Sequence, residues 1–333
     1  MPETLIVRLP NWLGDTVMAV PALRALRQGL PSTSIVLAGP WAALLSDQAL
    51  ADRVVTHDRS WSGRLRAVRG LRRLGADAAL LLPNSFESAA SAWYTGARRR
   101  VGFATDGRAW LLTDPVPLPV PRRHQVDEYA LLAHALGVAV TEPTPRLDPP
   151  RTGPRLDEAR ALVDAVAGSG RPRVGVHLGA AFGPAKLWPR TQTVAFCRLV
   201  HEHGGRAVLL GPPADEARAR DVLTEAPAAS LVGRDRPDLL SAVLCTLDGL
   251  VAGDTGVAHL AAALGRPLVV LFGPTDPALT APRGRAAVIV GRAPCAPCFY
   301  RACPIEHPCL ASIAPEDVWR ALAGLLDGGS LSA

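Results

Sequence analysis

Three short stretches of this 333-residue chain carry the side chains best suited to chemistry. The first is Arg8-Leu9-Pro10-Asn11-Trp12-Leu13-Gly14-Asp15-Thr16, where a carboxylate follows an apolar run and opens a helical pattern. A carboxylate at the carboxyl end of a strand suits a general base; Asp is also a favoured helix N-cap, so Asp15 has two readings. The second is the small-residue loop from Gly179 to Pro189, which holds Lys186, the one lysine among 36 basic residues. Lysine is a compact point charge and arginine a planar fork, so a lone lysine in an arginine-rich chain marks a place where a fork does not fit. An ammonium in such a loop suits a diphosphate, against the plain alternative of a solvated turn. The third is Gly253-Asp254-Thr255-Gly256-Val257-Ala258-His259. This Asp-Thr-Gly turn opens a helix, so it turns free backbone N–H groups and the positive helix end towards an anion. His259 follows about one turn later, as a ligand contact or as a buried structural histidine.

Residues of this kind need strand ends and helix starts to position them, and the pattern supplies both. Strands are expected at residues 4–9, 34–38 and 77–82, with helices at 16–29, 65–74, 85–95 and 124–136. The alternation resumes with helices at 156–167, 191–203, 215–224, 236–244, 255–264 and 315–326 and strands at 173–178, 207–210, 249–252 and 268–272. Strand–helix alternation of this kind means a parallel sheet covered by helices on both faces. It also excludes an aspartic protease, which is all-β and needs paired acids. The stretch Pro115–Arg123 is too rich in proline for regular structure, and residues 141–154 (TEPTPRLDPPRTGP) break every pattern and read as a linker. The expected organisation is two Rossmann-like domains, residues 1–150 and 151–333, facing a cleft in which ligands meet the carboxyl ends of the strands. The final helix is free to stay on the second domain or to cross back to the first.

Composition narrows the class further. Thirty Gly and 31 Pro are scattered without period, which excludes a collagen-like or low-complexity chain. No apolar run approaches the ~20 residues of a membrane span, and the first residues lack the basic region of a secretory signal, so a cytoplasmic location is expected. The formal charge of +6 points to an anionic partner. Arg64, Arg66, Arg69, Arg72 and Arg73 fall on one helix, and Arg98-Arg99-Arg100 follow Gly96; they form either a solvated face or a surface for an anionic lipid. Few aromatics interleave with them and no nucleic-acid module is present, so DNA and RNA are not expected as partners. Cys197 and Cys245 fall in helices and read as core thiols. Cys295, Cys298, Cys303 and Cys309, with His307 among them, have the density of a structural zinc site, though not the spacing of a standard one.

The ordered set RLPNWLGDT, LLPNSFESA, GAAFGPAKLWP and GDTGVAHLAAALGRPLVVLFGPT resembles bacterial glycosyltransferase family 9, in particular the ADP-heptose:lipopolysaccharide heptosyltransferases of the II branch. The likeness runs from about residue 4 to the last helix. It implies the GT-B fold, with the acceptor facing the N-terminal domain and the nucleotide sugar in the C-terminal one. It also implies transfer of heptose from ADP-L-glycero-β-D-manno-heptose to a lipopolysaccharide inner-core acceptor with inversion, with no cofactor and no metal in the chemical step. An anionic glycolipid acceptor would bring the enzyme to the inner face of the inner membrane. By that resemblance Asp15 matches the catalytic base and Lys186 the lysine that contacts the donor and its leaving diphosphate. Asp254, Thr255, Gly256 and His259 match the donor-binding turn, while Asn11, Trp12, Asn84 and Ser85 match the acceptor side. Two departures stand out: Ala180-Ala181 replace hydroxyl or acidic residues, and Pro212-Pro213 stand where an acid is usual. Another nucleotide sugar, a soluble acceptor, a sugar-nucleotide epimerase and a binding protein without activity are the competing readings.

Overall fold

The computed structural model describes residues 2–234 and 236–328. It divides into two compact units, Met1–Leu147 and Asp148–Ala333. The first runs β1 (Thr4–Arg8), α1 (Leu13–Met18), α2 (Val20–Gly29), β2 (Ser34–Gly39), β3 (Arg53–Thr56), α3 (Trp61–Arg72), β4 (Ala78–Leu81), α4 (Phe86–Thr95), β5 (Arg99–Phe103), β6 (Asp114–Val116) and α5 (Gln125–Ala135). The second runs α6 (Pro154–Ala167), β7 (Arg173–His177), α7 (Arg190–Glu202), β8 (Arg206–Leu210), α8 (Glu216–Glu225), β9 (Ala228–Ser230), α9 (Leu240–Thr246), β10 (Gly249–Gly253), α10 (Gly256–Ala263), β11 (Leu268–Phe272), α11 (Pro277–Thr280), β12 (Ala286–Val290), α12 (Pro308–Ala311) and α13 (Pro315–Leu326).

Each unit is a six-stranded parallel sheet, in the orders β3-β2-β1-β4-β5-β6 and β12-β11-β10-β7-β8-β9. Counted from its own first strand, the second sheet has the same order as the first. The strand order therefore reverses beside β1 in one unit, between β1 and β4, and beside β7 in the other, between β7 and β10. Ligands of open α/β sheets bind at that reversal, because the loops leaving the two strands diverge there. The central strands are continuous apolar runs, such as Leu5–Val7 and Leu268–Phe272, because helices cover both faces. In the second unit Val176, Leu209, Val251 and Val269 pack under Phe196 and Val200 of α7 and under Val318 and Leu322 of α13. The final helix thus lies on its own unit's sheet.

Three expectations need correction. Asp114–Val116 pairs with β5 as an edge strand in spite of its proline, which sits where no outer donor is needed. Arg99 and Arg100 are strand residues with internal partners: Arg99 bonds Asp114 and the Ala135 carbonyl, and Arg100 bonds the carbonyls of Leu111 and Ala97. The helix expected from Thr16 begins at Leu13, which moves Asp15 inside its first turn.

The proline-rich segment before α5 is held by charge. Arg122 grips the fully buried carboxylate of Glu128 with two bonds of 2.6 and 2.7 Å, and the Arg123 N–H adds a third. Arg122 is half-exposed, but removing it strands the fully buried Glu128 carboxylate out of water. Arg122→Ala is expected to cost about 3 kcal/mol of stability in urea unfolding, with Arg122→Lys losing less because one charge remains.

Candidate active site

In the second unit the loops after β7 and β10 bring the sequence's candidates together. The loop after β7 ends in a short 3₁₀ turn, Pro184–Lys186, from which the lysine points back to the end of β10. Lys186 Nζ lies 2.5 Å from Asp254 Oδ2 and 3.1 Å from the Asp254 carbonyl oxygen. The two side chains are only 10% and 7% exposed, so the pair is close to dry. Gly253 is required here: a Cβ at that position would come within 2.8 Å of the Lys186 carbonyl oxygen. The Thr275 hydroxyl, from the loop after β11, donates to Asp254 Oδ2 at 2.8 Å, and His259 Nε2 stands 3.9 Å from Oδ1, long for a hydrogen bond. Burial by itself would raise the Asp254 carboxyl, but His259 and the Lys186 ammonium outweigh it and hold the pKa at about 2.

Thr255 is the N-cap residue of α10, yet its buried hydroxyl has no hydrogen-bond partner among the described residues. The first backbone donors that turn inward in α10 are those of Ala258 and His259, both to the Thr255 carbonyl. The N–H groups ahead of them are the orphan donors of a helix start, beside a buried ammonium. That arrangement binds anions. His259 itself is buried on the first turn, against Asp254.

In the first unit Asp15 sits in the first turn of α1, whose N-cap is Trp12 with no side-chain cap bond; the capping role is therefore not filled by Asp15. Its charge reaches the buried phenol of Tyr129 on α5, which burial, Asp15 and Glu128 together push well above the usual tyrosine value. Asn11 is fixed by two arginines, accepting from Arg8 Nη2 at 3.0 Å on its side chain and from Arg59 on its carbonyl. Arg59 also lies over the half-exposed ring of Trp12, 4.9 Å from its centroid. At the end of the neighbouring strand β4, Ser85 caps α4 by accepting from the Ser88 N–H, and Asn84 Oδ1 is buried without a partner among the described residues.

Four contributors were not singled out in the sequence. Arg108 is fully buried and donates to the carbonyls of Pro83, Ser85 and Phe103 and to the Ser88 hydroxyl, so it clamps the loop carrying Asn84 and Ser85. Burial lowers its pKa to about 10, which leaves it charged at neutral pH. Asp215 lies at the end of β8 beside β7, so close that a Cβ on Gly179 would be 2.9 Å from its Oδ2. It sits two residues past Pro212-Pro213 and is paired with Arg218 at 3.3 Å. Arg301 and His177 are the others; among 35 arginines, Arg108 and Arg301 carried no local signal. The zinc expectation finds no support in the geometry. The four cysteines are free thiols, and among the described residues no three His, Cys, Asp or Glu are grouped to hold a metal. Cys309 is turned into the core against Gly273, and Cys303 accepts the His307 N–H while the His307 ring bonds the Pro184 carbonyl. Cys197 is a core thiol, pushed by burial to about 12.

Comparison with known proteins bears on what this site does. The family model described as glycosyltransferase family 9 (heptosyltransferase) matches residues 64–308. The chain belongs to glycosyltransferase family 9. Among family 9 relatives, the lipopolysaccharide heptosyltransferase 2 of Escherichia coli K12 is 30% identical over 303 residues, covering 86% of this chain and 87% of that protein. The solved E. coli ADP-heptose lps heptosyltransferase II superposes with a TM-score of 0.82 at 28% identity, over 98% of this chain and 99% of that one. A family 9 structure from Veillonella parvula gives 0.83 at 19% identity over 98% of each chain, a likeness of fold. The fold is thus the two-sheet α/β arrangement of the heptosyltransferases.

His177, at the end of β7, has a ring nitrogen, Nδ1, sealed from solvent without a partner among the described residues, and burial holds its pKa at about 4. As pH falls from the unfolded value near 6.5, the unfolded chain takes up a proton that the native ring refuses until about pH 4. Stability is therefore expected to drop between pH 6.5 and 4, by at most about 3 kcal/mol. A His177→Gln variant should show a flatter pH dependence of thermal unfolding across that window.

Proposed function

We propose that this family 9 enzyme transfers heptose from ADP-heptose to the inner core of a lipopolysaccharide, with inversion. The observation that carries the reading is the buried Lys186–Asp254 pair beside the open start of α10, in a chain of which 86% aligns with a lipopolysaccharide heptosyltransferase 2. In this reading the second unit holds the donor. The N–H groups of Thr255 and Gly256 and the Lys186 ammonium take the diphosphate, and Asp254 orients the lysine. Asp215 takes the ribose, at the strand end where a dinucleotide-type fold places its ribose-binding acid.

The acceptor belongs to the first unit. Asp15 removes the proton of the acceptor hydroxyl while that oxygen attacks the anomeric carbon opposite the diphosphate. The anomeric C–O bond breaks, and the electron pair leaves with ADP, whose new charge Lys186 and the α10 N–H groups stabilise. Asn11, Trp12, Asn84 and Ser85 line the acceptor side, held by Arg8, Arg59 and Arg108. The exposed guanidinium groups of Arg66, Arg69 and Arg72 on α3 and of Arg73 at its C-cap face an anionic glycolipid or the membrane surface that presents it. No helix among the described residues is long and apolar enough to cross a membrane.

Calorimetric titration with ADP, UDP and GDP tests the donor. ADP is expected to bind in preference, with Lys186→Ala weakening it at least about tenfold, the worth of a charge-assisted contact. A preference for UDP or GDP would overturn the heptose donor. Asp15→Ala should keep ADP binding and lower kcat by about 10²–10⁴-fold; turnover at the wild-type rate would remove Asp15 as the base.

A further inference from the structure

Phe182 shares its ring with two cations. Lys186 Nζ lies 4.7 Å from the ring centroid and the Arg301 guanidinium carbon 5.7 Å from it. Cations are drawn to the negative face of an aromatic ring, so each contact favours one placement of the charge. For Lys186 that placement matters. An ammonium has three N–H bonds, and Asp254 Oδ2 and the Asp254 carbonyl engage two of them. The remaining bond is the one left for a ligand, and its direction depends on where Phe182 holds the nitrogen.

Phe182 is in turn held from a distant part of the chain. Arg301 Nε donates to the Phe182 carbonyl at 2.8 Å, and the Arg301 carbonyl accepts the Ala185 N–H at 3.0 Å. Gly183, at φ +152°, has no room for a Cβ against that same carbonyl. His307 Nε2–H donates to the Pro184 carbonyl at 2.9 Å. The four residues from Phe182 to Ala185 are therefore all fixed by the irregular segment between β12 and α12. This gives the cysteine-bearing segment a purpose that its thiols do not supply. Ala180 and Ala181 offer no side-chain hydroxyl or charge to steady the loop, which leaves the work to Phe182 and Arg301.

We propose that Phe182 and Arg301 are positioning residues that aim Lys186 at the donor diphosphate. The proposal rests on the heptosyltransferase reading for its chemistry, but the placement of Lys186 is testable without it. Because Lys186 is the only lysine, labelling with [ε-¹³C]lysine gives a single side-chain resonance. A methylene held over a ring is shielded, so the wild-type signal is expected upfield of free lysine. Phe182→Leu should return it towards the free position, Phe182→Tyr should keep it, and Arg301→Ala should move it part of the way. In transfer assays Phe182→Leu is expected to lower kcat about tenfold, the scale of one desolvated cation–π contact, with a smaller change in donor KM. Phe182→Tyr should restore kcat to within about twofold. A wild-type resonance at the free-lysine position, one unmoved by Phe182→Leu, or unchanged kcat in Phe182→Leu overturns the proposal. A shifted wild-type resonance in a protein that neither binds ADP nor transfers heptose overturns the functional reading instead, and leaves the placement of Lys186 by Phe182 supported.

Discussion

The buried ion pair between Lys186 and Asp254 is the constraint around which the second unit is arranged. Withdrawing two charges from water costs several kcal/mol each, and their attraction repays this only if the remaining lone pairs and protons also find partners. Here they do. Thr275 donates to the same carboxylate oxygen, His259 flanks the other, and the Asp254 carbonyl takes a second ammonium proton. Lys186, Asp254 and Thr275 come from three different segments, so the cluster ties the loops after β7, β10 and β11 together. Gly253 lets the lysine backbone approach, and the start of α10 places unpaired N–H groups beside the ammonium. A guanidinium, with five donors in a plane, could not be satisfied by one carboxylate and one carbonyl in so small a space. That accounts for a single lysine in a chain with 35 arginines.

The first unit repeats the topology and solves the opposite problem with the opposite side chain. Its strand-end loops carry residues that must be held rather than charges that must be paired. Arg108 is well suited to this, since its fork reaches three carbonyls and a hydroxyl at once. Arg8 and Arg59 do the same for Asn11, one through its side chain and one through its carbonyl. Arginine acts in this unit as a cross-link between backbone segments, and most of its positive charge is spent on the protein's own oxygen atoms. Exposed guanidinium groups without an ion pair among the described residues include Arg66 and Arg69 on α3.

The cysteine-bearing segment between β12 and α12 carries a dense local pattern of thiols, and its contacts are made largely through backbone. Four cysteines within fifteen positions have the density of a metal site but not a standard spacing, and a plain structural loop is the other reading. In three dimensions Cys309 turns into the core, Cys303 accepts a backbone N–H, and the ring of His307 is committed to the Pro184 carbonyl. What the segment contributes is its backbone and Arg301, laid against the loop that carries Lys186.

Local signals were enough for the parallel strand–helix alternation and for the three loops that carry Asp15, Lys186 and Asp254, because apolar periodicity and turn chemistry are written in neighbouring residues. The short strands β3, β5, β6, β9 and β12 were not legible: β3, β6, β9 and β12 are sheet edges that gain their stability from the strand beside them and little from their own composition, and the Arg-Arg start of β5 hides its apolar run. The same holds for the site. That Lys186 is special could be inferred from its being alone, but its partner at 2.5 Å is 68 residues away. Arg108 lies more than twenty residues from the loop it clamps, and Arg301 is 119 residues from Phe182. A sequence determines which residues have the chemistry. Which of them share a charge, a hydrogen bond or a ring is decided by chain segments meeting in space, and only the folded sheets bring those segments together.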